Sequence, residues 1–129
     1  MKKRILLVED DPSAARLVSY TLEQEGYEVL TAPNGVEGLR KAREEEPDLL
    51  VLDVMLPGLD GFEVCHRLRS EPQTAKLPIL MLSAKAREAD KATGINVGAD
   101  DYLSKPAAPD EIVARVANLL AEKNAANSE

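Results

Sequence analysis

Tryptophan is absent from the chain, phenylalanine occurs once and tyrosine three times. Without aromatic platforms the stacking of single-stranded nucleic acid is excluded as a binding mode, and the interior must be aliphatic. Cysteine is as scarce. Cys65 is alone in 129 residues, so an internal disulfide or a thiolate metal cage is ruled out, which fits a reducing compartment. Basic residues fall short of acidic ones, 16 against 23, for a net charge of -7. That balance argues against direct nucleic-acid binding through the phosphate backbone and suits basic ligands, divalent cations or protein partners. Long apolar runs are missing as well. After Met1-Lys2-Lys3-Arg4 the run Ile5 to Val8 stops at Glu9, short of the roughly 7 to 15 residues of a signal-peptide core and of the roughly 20 of a membrane span. The chain is therefore expected in the cytoplasm, with no membrane attachment.

Three short uninterrupted apolar runs are present: Ile5 to Val8, Leu49 to Leu52 and Ile79 to Leu82. Apolar runs without alternation predict strands buried on both faces, as in a parallel sheet covered by helices. Asp11-Pro12 reads as an N-cap followed by an N1 proline, and Ala14, Leu17, Val18, Thr21 and Leu22 recur at helical spacing before a stop at Gly26. Tyr27 to Ala32 reads as a strand, Val36 to Glu46 as a helix stopped by Pro47, and Asp60 to Ser70 as a helix burying Gly61, Val64, Cys65 and Leu68. Arg87 to Val97 is expected to be a poorly anchored helix resting on Ala89, Ala92 and Val97. Tyr102 to Ser104 completes the strands, and Pro109 to Lys123 is a helix with Ile112, Val113, Val116, Leu119 and Leu120 on one face. Five βα units with short connections imply a doubly wound α/β fold, a five-stranded parallel sheet flanked by five helices. No repeat or composition shift marks a second domain, so residues 1–123 are expected to form one domain and residues 124–129 a polar tail.

In such a sheet, ligands bind outside the carboxyl ends of the strands near the switch point in strand order. The strand ends carry Glu9-Asp10-Asp11, Asp53, Ser83 and Lys105-Pro106. Singly each has an ordinary role, Asp11 as a helix N-cap above all. Convergence is what those roles do not explain: Asp10, Asp11 and Asp53 at neighbouring strand ends repel one another unless a cation or proton intervenes. Hard oxygen donors with no His or Cys beside them favour Mg2+. A carboxylate, a divalent cation, a lysine and a hydroxyl form a coherent set for phosphoryl transfer to Asp53, with Lys105 and Ser83 offsetting charge on the phosphoryl oxygens.

These residues resemble the receiver domain of two-component response regulators, in order and spacing, from about Arg4 to about Glu122. Asp10-Asp11 is similar to the acidic pair of that family, Asp53 in Leu52-Asp53-Val54-Met55-Leu56-Pro57-Gly58 to the phosphoacceptor, Ser83 to the switch hydroxyl and Lys105 to its lysine. The resemblance implies a flavodoxin-like fold of strand order 2-1-3-4-5 and a phosphorylation-dependent switch rather than an enzyme. It further implies that Asp53 accepts a phosphoryl group from the phosphohistidine of a sensor histidine kinase or phosphotransfer protein. Mg2+ would be held by Asp10 or Asp11, Asp53 and the backbone carbonyl of Met55. A cis peptide before Pro106 would aim Lys105 into the site. Signalling would couple Ser83 to an inward turn of Tyr102 and alter the face made by the fourth helix, fifth strand and fifth helix, for an effector protein or a homodimer. Whether the domain stands alone or belongs to a regulator with an output domain is left open by the resemblance. Ala107 departs from the family, where an aromatic often follows the Lys-Pro pair.

Two other classes compete. A hydrolase with Asp53 as nucleophile, similar to the haloacid dehalogenases, would place a second Asp two residues on, where Met55 stands. A constitutive interaction module would not need the full set of Asp53, Ser83 and Lys105. His66, the one histidine, misses the buried face of its helix and reads as a solvated residue, while Cys65 reads as core.

Overall fold

The computed structural model describes residues 2–127. Five strands, β1 (Arg4–Val8), β2 (Glu28–Ala32), β3 (Leu49–Leu52), β4 (Ile79–Ser83) and β5 (Asp101–Ser104), alternate with five helices. The helices are α1 (Pro12–Glu23), α2 (Gly35–Glu45), α3 (Gly61–Ser70), α4 (Glu88–Asn96) and α5 (Pro109–Asn127). All strand pairs are parallel, in the order β2-β1-β3-β4-β5, the flavodoxin-like arrangement expected.

The apolar runs are explained by two cores, one on each face of the sheet. Ile5, Leu7, Leu49, Val51, Leu80 and Leu82 pack with Val18 and Leu22 of α1 and with Ile112, Val116, Leu119 and Leu120 of α5. Their strand neighbours Leu6, Val8, Leu50, Leu52 and Met81 turn the other way, toward Leu39 and Ala42 of α2 and Val64, Cys65 and Leu68 of α3. With successive side chains on opposite faces, a strand covered on both sides has no polar position left.

Local chemistry sets most boundaries. Asp11, Asn34 and Asp60 cap α1, α2 and α3, each side chain accepting a backbone N–H of the first turn. The helix predicted from Asp60 thus begins one residue later, with Asp60 as its cap. Leu17, one of the α1 residues that recur at helical spacing, is 61% exposed. Two expectations need correction. The poor anchoring of α4 is real, but Ala89 and Ala92 are exposed, and its buried residues are Asp90 and Gly94. The last helix runs past Lys123 to Asn127, so residues 124–127 of the expected tail are helical, while residues 128–129 of it lie outside the described residues. Among the described residues no helix is long and apolar enough to cross a membrane.

Candidate functional site

β1 lies between β2 and β3, so the chain leaves β1 to one side for β2 and returns on the other for β3. That reversal opens a crevice at the carboxyl ends of β1 and β3. Val8 is the last residue of β1 and Leu52 of β3, paired in register, which sets Glu9 and Asp53 side by side just beyond the sheet.

Asp53 is 6% exposed. Its Oδ1 accepts the Met55 N–H at 3.0 Å and its Oδ2 accepts from Lys105 Nζ at 3.1 Å. The same ammonium donates to Glu9 Oε1, so Lys105, which directly follows the end of β5 and is joined to Pro106 by a cis peptide, bridges the two strand ends. Glu9, also 6% exposed, takes the Asp11 N–H on Oε2 at 3.1 Å. Burial is the largest influence on Glu9 and pushes its carboxyl above the usual range; hydrogen bonds from Lys105 and Asp11 oppose this, and the charge of Asp53 adds to it. For Lys105, burial lowers the ammonium, but Glu9 and Asp53 together outweigh that and hold it above its ordinary value.

The acidic pair expected to line the site was Asp10 and Asp11, and here the structure departs from the sequence reading. Carboxylate oxygens of Glu9, Asp10 and Asp53 lie within 4.8 Å of one another, a group that does not include Asp11. Asp11 is exposed and its Oδ1 accepts the Ser13 N–H at 3.3 Å. Pro12 at N1 is the physical reason: it starts α1 at once, so the preceding residue becomes the cap and its carboxylate turns to the helix. Glu9 was visible as a strand-end residue, and the Asp11-Pro12 step was the signal that should have moved the pair back by one.

Asp10 is exposed and lines, with Val54, Met55, Asp60 and Lys85, a cleft of about 440 Å3. An oxygen-only donor set, three carboxylates in close range and an open mouth with room for waters and a phosphoryl group fit Mg2+. Met55 is 58% exposed, and its backbone N–H is bonded to Asp53 Oδ1. Ser83 is fully buried at the end of β4, its Oγ accepting the Lys85 N–H at 3.2 Å. Tyr102 lies inward, 8% exposed, and its hydroxyl donates to the Lys85 carbonyl. Ser83 and Tyr102 thus grip one residue of the β4–α4 loop from two sides. His66 is exposed and Cys65 buried, away from this constellation.

Residues 5–117 match the response regulator receiver domain. This chain belongs to that family. The alkaline phosphatase synthesis transcriptional regulatory protein PhoP of Bacillus subtilis (strain 168) is 54% identical over 120 residues, 93% of this chain and 49% of that protein. The DNA-binding dual master transcriptional regulator RpaA of Synechocystis sp. is 50% identical over 117 residues, 91% of this chain and 48% of that protein. A putative response regulator from Chloroflexus aurantiacus J-10-fl superposes with a TM-score of 0.90 at 44% identity, covering 94% of this chain and 99% of the other. The receiver domain therefore spans about half the length of these two transcriptional regulators. As a receiver domain of the two-component response regulators, it has a regulatory, signalling role, and its acidic cluster is of the kind that binds Mg2+ in such domains.

Proposed function

We propose that this receiver domain is a switch in which Asp53 takes a phosphoryl group from the phosphohistidine of a sensor histidine kinase or phosphotransfer protein. The observation that carries the reading is the Asp53 carboxylate itself, buried at the switch point of the sheet with Lys105 Nζ 3.1 Å away. A carboxylate oxygen attacks phosphorus in line with the N–P bond; that bond breaks, and its electron pair returns to the imidazole, which takes up a proton and leaves neutral. Asp10, Asp53 and the Met55 carbonyl would hold Mg2+, with Glu9 rather than Asp11 beside them, and the ion would screen the repulsion between carboxylate and phosphoryl oxygens. Lys105 then moves its donation from Asp53 to a phosphoryl oxygen while remaining on Glu9.

Ser83 supplies the signal. Its hydroxyl turns to donate to a further phosphoryl oxygen and ceases to accept the Lys85 N–H, so the loop that Tyr102 holds from the other side is re-set. The face formed by α4, β5 and α5 changes with it, for an effector, for an output domain such as the remaining half of the two transcriptional regulators, or for a second copy of the chain. The setting is the cytoplasm. An apolar groove of about 310 Å3 lined by Ala14, Leu17, Ala84, Pro106 and Ala107 opens beside Lys105, and the histidine-bearing partner would seat there, next to the acceptor. The decisive experiment is incubation with acetyl phosphate and Mg2+ followed by intact-mass measurement. One base-labile phosphoryl group is expected, absent from Asp53→Asn; equal labelling of Asp53→Asn would refute the reading.

A further inference from the structure

The two ends of α4 are held by different means. At its start, Asp90 accepts from the Arg87 N–H and from Arg87 Nε, each at 3.1 Å. Both groups belong to the same segment, so these bonds stiffen the first turn without tying it to the sheet. The ties at this end are those of Lys85, its N–H to Ser83 Oγ and its carbonyl to the Tyr102 hydroxyl. In the middle, Gly94 leaves room for Tyr102: a Cβ there would stand 2.7 Å from the ring.

The far end is gripped from α3. Arg69, on the last turn of α3, donates from Nε to the Gly98 carbonyl at 2.9 Å and from Nη2 to Asp100 Oδ2 at 2.9 Å. Its Nη1 donates to the carbonyls of Leu77 at 2.7 Å and Ala75 at 3.2 Å. Asp100 Oδ2 in turn accepts the Ile79 N–H at 2.8 Å, which fastens the assembly to the start of β4. Gly98 has φ +115, and a Cβ on it would lie 2.6 Å from Arg69 Cγ, so the arginine stem occupies the space a side chain would need. A guanidinium on α3 that meets two further segments, 75–77 and 98–100, is a rigid clamp, because its donors form a fixed fork.

We propose that Arg69 is the pivot of α4: the helix swings about a fixed Gly98 end, and only its Lys85 end follows Ser83 and Tyr102. Bonds at the start are few and are the ones the switch rearranges; bonds at the end are charge-assisted and lie far from the phosphoryl site. The idea rests on the reading of Ser83 and Tyr102 as the switch, and concerns which part of α4 responds.

Hydrogen exchange followed by mass spectrometry tests it, on the whole chain with and without beryllium fluoride and Mg2+. In the wild type, beryllium fluoride is expected to change exchange at residues 84–91 and to leave 97–100 unaltered. In Arg69→Met, amides 97–100 should exchange about tenfold faster without any ligand, and the beryllium fluoride response should spread to them. Arg69→Lys, which keeps the charge and loses the fork, serves if Arg69→Met does not fold, with the same spreading expected. A wild-type response at 97–100 equal to that at 84–91, or a response still confined to 84–91 in the variants, would overturn the pivot. Absence of any beryllium fluoride effect in the wild type would instead count against the switch reading, and the ligand-free comparison would still decide whether Arg69 clamps Gly98.

Discussion

Glu9 and Asp11 stand two residues apart and are put to different uses. One carboxylate meets Lys105 at the strand end and the other caps α1. Calorimetric Mg2+ titration should separate them: Asp10→Asn should weaken binding at least tenfold, the loss expected when a hard cation gives up an anionic ligand, whereas Asp11→Asn should leave binding within about twofold, since Asn caps a helix as well as Asp. Equal losses in the two variants would restore Asp11 to the site. Cys65 offers a test by pH. Burial pushes its thiol up to about 11 from 9.0, so the folded state disfavours the thiolate. The contribution to stability is complete below pH 9 and declines as pH rises toward 11, by no more than about 2 to 3 kcal/mol. Denaturant midpoints for wild type and Cys65→Ala should therefore converge as pH climbs through that window, and the native thiol should resist alkylation at pH 8.

At the scale of elements, what was legible in the sequence followed from local rules. Uninterrupted apolar runs marked β1, β3 and β4, caps and prolines marked the helix starts, and the buried face of α3, Gly61, Val64, Cys65 and Leu68, was readable from its period. Contacts with no periodic signature were not readable, and α4 is the case in point, because a buried Asp90 and a glycine under Tyr102 look like surface residues in a one-dimensional pattern. The close approach of α2 to β1 belongs to the same class. A Cβ at Gly38 would meet Val8 Cγ2 at 2.8 Å, so Gly38→Ala is expected to destabilise the domain by about 1 to 3 kcal/mol despite its better helix propensity. Urea denaturation measures it, and a stabilised variant would show that α2 can shift outward freely.

For the whole molecule, the acceptor and the partner surface are separable. Leu17 lies in the groove beside Lys105 but outside the carboxylate cluster. Leu17→Asp should slow phosphorylation by a cognate kinase at least tenfold while labelling by acetyl phosphate stays unchanged; parallel losses would mean that the substitution had disturbed the site itself. Mg2+ should also stabilise the fold by mass action, by about 2.7 kcal/mol at a hundredfold excess over its Kd. Thermal melts of wild type and Asp10→Asn with and without the ion would show it.

The sequence by itself determined the layering and the inventory. Aliphatic runs too short and too uniform for anything but doubly covered strands dictated a parallel sheet between helices, and the polar residues closing those runs named Asp53, Ser83 and Lys105. Tertiary structure alone decided which acids meet. Strand register set Glu9 and Asp53 beside each other, and the immediate start of α1 at Pro12 turned Asp11 away. It also decided that Arg69, one charged residue among many on the helices, ties α3 to two other segments at once. Periodicity reports which face a residue occupies, whereas a contact between residues far apart in the chain exists only once the strands have been ordered and the helices laid across them.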